Sequence, residues 1–177
     1  LDEADHPALV EFLTLHEWPF HGTPRHTTTS AQASVASGAF TRSEDDAPHW
    51  IEVEGQRAGL LVLHELSDPT PIFDLRLATQ WRGRGLGRLV LEWLAHESFE
   101  TWGKHRVEGH TRADNRPMRS VFERTPGWVL EASYRQAWPD PSGHWHDAVS
   151  YALLASDWRQ GTLTPAERYD PDPARIG

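Results

Sequence analysis

The segment Gln80-Trp81-Arg82-Gly83-Arg84-Gly85-Leu86-Gly87 has the composition of an anion-binding turn. Glycines let several backbone N–H groups converge where side chains would keep an anion away. A strand-like run precedes the turn and an amphipathic helix follows it, so the helix start adds partial positive charge. Arg82, Arg84 and Arg88 bring three cations to an otherwise acidic chain, and phosphate is the ligand this suits. No Gly-Lys-Ser/Thr follows, so this is not a Walker loop, and G-x-G-x-G is not the dinucleotide fingerprint. The competing reading is an ordinary glycine-rich connection. His144-x-His146-Asp147 offers two imidazoles and a carboxylate, but in a turn these read as a polar strand end, and no metal is expected.

These residues need elements to hold them. Asp5 can cap a helix with Pro7 in its first turn and Leu9, Phe12 and Leu13 on one face. Thr27 to Ala39 is a weaker helix candidate, and Arg42 to Pro48 reads as a loop. Strand-like runs follow over His49–Glu54, Arg57–Leu66 and Ile72–Thr79, with Gly55-Gln56 as a hairpin turn. After the glycine-rich turn, Leu86, Leu89, Val90, Trp93 and Leu94 recur at helical spacing until Gly103. Arg106 to Thr111 reads as a strand. Asp114-Asn115 caps a short helix containing Pro117, Val121 and Phe122, and Gly127 ends it. Trp128–Arg135 and Trp145–Leu154 are the last strands. The order is mixed α/β, with one domain over residues 1–160 and a loosely packed proline-containing tail over 161–177.

Composition narrows the partners. The chain has 177 residues, the size of one domain, and a formal net charge of −9. A general nucleic-acid binder needs a basic surface, so nucleic acid is not an expected partner. Cysteine is absent, which excludes disulfides, thiolate metal sites and a cysteine nucleophile. No apolar run reaches the roughly 18 residues of a membrane span, and no membrane partner is expected. The acidic start, Leu1 to Asp5, is unlike a secretory signal, so the expected location is cytoplasmic. Lys104 stands alone beside 16 arginines, the mark of a GC-rich genome, and a bacterial source is expected.

The strand, Gln80-x-x-Gly83-x-Gly85 and helix resemble the acetyl-CoA-binding motif of the GNAT N-acetyltransferases. Asn115 opening a short helix that Gly127-Trp128 closes is similar to a second segment of that family. Gly-Trp-Val-Leu-Glu (127–131), Arg135, Gly143, Asp147 and the run from Tyr151 to Trp158 resemble the RimJ/RimL-like branch. The resemblance spans Asp5 to Trp158. It implies a GNAT fold: a central mixed, mostly antiparallel twisted sheet, splayed at the cofactor site and flanked by about four helices. It implies acetyl-CoA as co-substrate, held by Arg82, Gly83, Arg84, Gly85, Leu86, Gly87 and Arg88. The thioester carbonyl would meet the backbone of Leu77, Ala78 and Thr79, while Asn115, Met118 and Phe122 fall at the family's cofactor-arm positions.

The departures bear on catalysis. The family's opening strand has no counterpart before the first helix. Phe122 stands where the family carries a tyrosine general acid, and Met118 where RimL-like members carry a serine. Pro71 falls where many members place a glutamate, and Trp138 where RimL-like members place another. His110 is the candidate base: its offset before Asn115 is where several protein N-acetyltransferases of the family carry a catalytic glutamate or histidine. Imidazole suits proton removal near neutral pH. Glu65, Asp74 and Glu108 are lesser candidates, and His16, His21, His26 and Trp18-Pro19-Phe20 lie where they could border the acceptor cleft.

The resulting expectation is acetyl transfer to a primary amine by direct attack, the acceptor being a peptide or protein N-terminus. A small amine, such as an aminoglycoside or polyamine, is the alternative acceptor. A non-catalytic acyl-CoA-binding regulatory domain is the alternative class, and a homodimer is among the assemblies the sequence allows.

Overall fold

The computed structural model describes residues 1–166. Helix α1 (His6–Leu15) starts at Asp5 with Pro7 in its first turn and buries Leu9, Phe12 and Leu13. Helix α2 (Thr28–Ala36) is capped reciprocally by Thr27 and Ser30 and buries only Ala31 and Val35, in keeping with its poor apolar stripe. Strands β1 (Ala47–Val53) and β2 (Gln56–His64) form a hairpin whose two-residue turn is Glu54-Gly55, both at positive φ. That is one residue earlier than the expected Gly55-Gln56, because Gln56 already pairs with Val53. β3 (Ile72–Leu77) completes an antiparallel trio and gives way to a 3-10 turn over Thr79–Trp81.

Helix α3 (Leu86–His96) runs into one π-turn at Glu97–Thr101, and Gly103 breaks it at φ 62°. β4 (Arg106–Arg112), α4 (Arg116–Arg124), β5 (Val129–Pro139) and β6 (Trp145–Leu154) follow. A last short helix, α5 (Ala155–Gln160), lies where the sequence reading has no helix. The expected tail falls mostly outside the described residues. Of 161–166, Thr162 and Thr164 bond back onto Asp157, the buried carboxylate of α5.

The sheet order is β1-β2-β3-β4-β6-β5, mostly antiparallel, with β3 and β4 the parallel pair. Strand alternation separates two cores. Leu61, Leu63, Phe73 and Leu75 pack with α3 and α4 on one face. Leu60, Val62 and Ala78 pack with Trp18, α1 and α2 on the other. No helix of the described residues is long and apolar enough to cross a membrane.

β3 and β4 meet at a single register pair, Ile72 with Glu108, and then part toward their C-terminal ends. Phe73 and Phe122 pack beneath the parting, against Gly109 of β4. A Cβ on Gly109 would lie 2.6 Å from Phe122 Cζ and 2.7 Å from Phe73 Cε1. Neither ring has room to withdraw, because Phe122 is stacked on Tyr151 and leans on Trp128. Gly109→Ala is therefore expected to cost about 1–3 kcal/mol, the usual range for overpacking. Urea denaturation checks this; an unchanged midpoint would mean that the rings are not confined.

Candidate active site

The turn between β3 and α3 is open on its outer side. Gly83 and Gly85 lie at φ 72° and 83°, and a Cβ on either would stand in empty space. Gly85 is the N-cap of α3 in the left-handed conformation, which glycine adopts without strain. Arg82 N–H returns to Thr79 O, and Arg88 and Leu89 N–H return to Gly85 O. The N–H groups of residues 83–87 have no acceptor among the described residues, leaving a row of donors at a helix start. The cradle fits a diphosphate, and a side chain would fill it. Gly87 serves differently: its missing Cβ would meet Val121 at 3.2 Å, so it lets α4 approach α3.

The three arginines of the turn do not act alike. Arg84 is exposed, 5.5 Å over the Trp81 ring. Arg88 pairs with Glu92 at 2.8 Å. Arg82 turns inward: Nε donates to Leu77 O at 2.8 Å and Nη2 to Glu17 O, with the guanidinium 5.4 Å over Trp18. It ties the α1–α2 loop to the end of β3 and presents no cation to the cradle.

Beyond Ile72 the β3 edge facing β4 is unpaired. Ala78 N–H donates to Ala58 O, so by ladder alternation the even residues face β2 and Leu75 and Leu77 face the gap. Of the expected trio Leu77, Ala78 and Thr79, Leu77 directs its N–H there and Ala78 directs its N–H to β2, and Leu75 joins Leu77. Which amides face outward depends on register, and no local sequence signal carries that.

Each lip of the gap carries an arginine, a carboxylate and a histidine on the α1/α2 face. On β4, Glu108 accepts from Arg106, Ser150 and His110, the last at 2.6 Å from Nε2. Burial pushes the Glu108 carboxyl up, but the Ser150 and Arg106 hydrogen bonds and nearby positive charge outweigh it and hold the group below its ordinary value. Facing an ionised carboxylate, His110 Nε2 is assigned the proton, which leaves Nδ1 as the basic nitrogen. The imidazole is 42% exposed and stacks on Tyr134, with centroids 6.1 Å apart.

On β3, Asp74 accepts from His21 Nε2 at 3.1 Å and from Arg76 Nη2 at 2.9 Å. Burial raises this carboxyl too. The hydrogen bond from His21 and the Arg76 charge reverse that and hold it far below the carboxylate range. Asp74 and His110 share a face, and the register carried forward from Ile72–Glu108 sets them level on opposite lips. The α1–α2 loop bridges the gap, because His21 reaches Asp74 while its neighbour Phe20 lies 5.5 Å from the Arg112 guanidinium of β4. Trp18 is core, its indole donating to Leu13 O. Glu65 lies in the exposed loop after β2.

On α4, Asn115 is engaged within the chain. Its Oδ1 accepts from Met118 N–H at 3.3 Å as the N-cap, and Nδ2 donates to Thr111 Oγ1 at 2.8 Å. Met118 is half-buried against the α3/α4 core. Phe122 is 1% exposed with its ring tip toward Gly109, so a hydroxyl there would run into β4 instead of entering the gap. In the β5–β6 turn, His146 contacts Asp140 and Arg112, His144 contacts Ser142, and Asp147 Oδ1 accepts from Gln136 N–H at 2.8 Å.

The family described as "Acetyltransferase (GNAT) family" matches residues 10–128 of this chain. None of the curated protein sequences matches it. Several solved structures share its fold. RimJ from Mycobacterium smegmatis, solved with CoA-disulfide, aligns with a TM-score of 0.73 at 22% identity, over 89% of this chain and 80% of that one. The spermidine/spermine N-acetyltransferase SpeG from Vibrio cholerae, solved with manganese ions, aligns with a TM-score of 0.70 at 16% identity, over 91% and 93%. A probable acetyltransferase aligns with a TM-score of 0.70 at 20% identity, over 89% and 92%.

The depressed Asp74 carboxyl links stability to pH. A lowered folded-state pKa contributes stability that is fully present above the unfolded value of ~3.9 and is lost as pH falls below it. Asp74→Asn should thus unfold at lower urea concentration at pH 7, and the difference from the parent should shrink at pH 3. A difference of equal size at both pH values would show that the ion pair is not its source.

Proposed function

The chain belongs to the acetyltransferase (GNAT) family, and we propose that it transfers acetyl from acetyl-CoA to a primary amine, with peptide or protein N-termini as acceptors. The observation that carries this reading is the row of unpartnered N–H groups over 83–87, set at the end of β3 where the sheet opens. The pyrophosphate of CoA would lie on that cradle, with Arg84 beside it, and the arm would run along the unpaired edge of β3 past Met118. When bound, the thioester supplies an activated acetyl carbon.

The chain's own groups do the rest. The N–H groups of Leu75 and Leu77 are placed to donate to a carbonyl oxygen whose charge grows during attack, which is worth more in a water-poor gap than in solvent. His110 Nδ1 takes the proton of the incoming ammonium, with Glu108 fixing the ring and stabilising the imidazolium. As the N–C bond forms the C–S bond breaks; the nitrogen gives up its second proton to water, and the thiolate takes one from water or from the His110 imidazolium, since Phe122 has none to give. Holding amine and thioester together lowers the barrier further.

Gly85→Asn and Gly83→Asn test the cradle, because asparagine tolerates the left-handed backbone while its side chain fills the space. Calorimetry should show CoA affinity reduced at least about tenfold with the melting temperature little changed; full affinity in both variants would remove the assignment.

His110→Ala should lower kcat by about 10²-fold, within the range for losing a general base, and leave CoA affinity unchanged. The pH–rate profile should lose its ascending limb. Unaltered kcat across the pH range would return His110 to a strand residue packed on Tyr134.

A further inference from the structure

We propose that the acceptor carries a carbonyl or carboxylate oxygen beside its amine, as a peptide N-terminus or amino acid does, and that Arg76 and His26 receive it beneath the α1–α2 loop. This rests on the acetyltransferase reading above and adds to it the chemistry that selects the acceptor.

Five side-chain nitrogens in this region are buried without any partner: Arg76 Nε and Nη1, His21 Nδ1, and both ring nitrogens of His26. Buried polar groups are nearly always hydrogen-bonded, so such a concentration marks a place built for something else to complete. Its position is informative. Arg76 is an even residue of β3, so its side chain leaves the sheet on the face where Asp74, Glu108 and His110 stand, next to the Leu75 and Leu77 amides. The guanidinium lies 5.8 Å from the Trp18 ring and 5.9 Å from the Phe40 ring, which fix its plane.

The unmet groups decide the chemical class. Arg76 offers only donors, and burial together with the Arg76 charge keeps His26 neutral, with one donor and one acceptor nitrogen. The carboxylate of Asp74 is already taken by His21 and Arg76. An oxygen acceptor meets these donors, and a nearby amine would then point along β3 toward the gap. A bare diamine carries only donors, leaves Arg76 unmet, and brings its second ammonium against a cation. Sites built to bond a polar group can reject analogues lacking it by on the order of 10⁴-fold. The loop that covers these nitrogens is held at one end by Phe20 on Arg112 and His21 on Asp74, contacts an entering acceptor would rearrange.

The test uses three probes on the CoA-saturated protein: alanyl-alanine, its C-terminal amide, and 1,4-diaminobutane. Binding is read by calorimetry and transfer by mass of the acetylated product. Both peptides should bind and react with kcat/KM at least about 100-fold above the diamine. His26→Leu removes two unpartnered nitrogens, so its melting temperature should hold or rise while peptide kcat/KM falls at least about tenfold and CoA affinity stays constant. Arg76→Met combined with Asp74→Asn removes the ion pair as a unit and should abolish the preference. Equal or better use of the diamine, no binding of either peptide at millimolar concentration, or peptide kcat/KM unchanged in both variants would each overturn the proposal. Absence of CoA binding by the parent protein would instead defeat the acetyltransferase reading, and peptide affinity of the free protein would still decide this one.

Discussion

Everything distinctive in this structure follows from two strands that stop pairing. β3 and β4 share one register pair and then diverge, although both continue as regular strands. An unpaired strand edge inside a domain is costly unless its N–H and C=O groups find other partners. The sheet stays open because the α3/α4 side is filled with Phe73 and Phe122 against a glycine. On the other side the α1–α2 loop reaches from one lip to the other. The gap is thus a feature with packed walls, and the backbone groups of Leu75 and Leu77 are what it presents.

The electrostatics of the two lips repeat one scheme. Arg106, Glu108 and His110 on β4 match in kind Arg76 and Asp74 of β3 with His21 of the α1–α2 loop. In each, a hydrogen bond (from His21 to Asp74, from Ser150 to Glu108) and then an arginine keep a partly buried carboxylate ionised, and the carboxylate fixes one nitrogen of an imidazole, leaving the other for use. Their surroundings separate their roles. His110 is exposed and stacks on Tyr134, which leaves its free nitrogen able to exchange protons with solvent. His21 turns its free nitrogen into the loop, where no water reaches it.

Much of this was legible in the sequence, and the rest was hidden for definite reasons. α1 reads from Asp5, Pro7 and the spacing of Leu9, Phe12 and Leu13, and α3 from its apolar stripe, because both signals are local. The glycine-rich turn reads from its residues, since left-handed φ and a helix start are local properties too. α5 was missed because no glycine or proline separates it from the apolar run of β6. β5 extends past Arg135 to Pro139 across an irregular stretch where Gln136 takes φ 49° and bonds Asp147, a residue distant in sequence. The inward turn of Arg82, the role of Gly109 and the pairing of His21 with Asp74 are long-range contacts. Composition and periodicity hold no record of them.

The location of unmet hydrogen bonds separates scaffold from site. Each buried polar group left without a partner costs ~1–3 kcal/mol, so a fold keeps such groups only where something offsets the loss. Most of the scaffold's polar groups are paired: Asn115 uses both ends of its amide, the β5–β6 turn engages His144, His146, Asp140 and Asp147, and Asp157 takes up Thr162 and Thr164, while Ser98 Oγ, Trp128 Nε1 and His49 Nε2 are scattered single atoms without a partner. The cradle at 83–87 and the nitrogens beneath the α1–α2 loop are the clustered exceptions, one at the mouth of the gap and one beside it. Both consist mainly of donors on a chain whose net charge is −9. Long-range charge on such a protein draws in a cationic amine. The local donors select instead for oxygens, first those of a diphosphate and then those beside the amine. Attraction and selection thus reside in different parts of the molecule, and the gap between β3 and β4 is where the two ligands they deliver can meet.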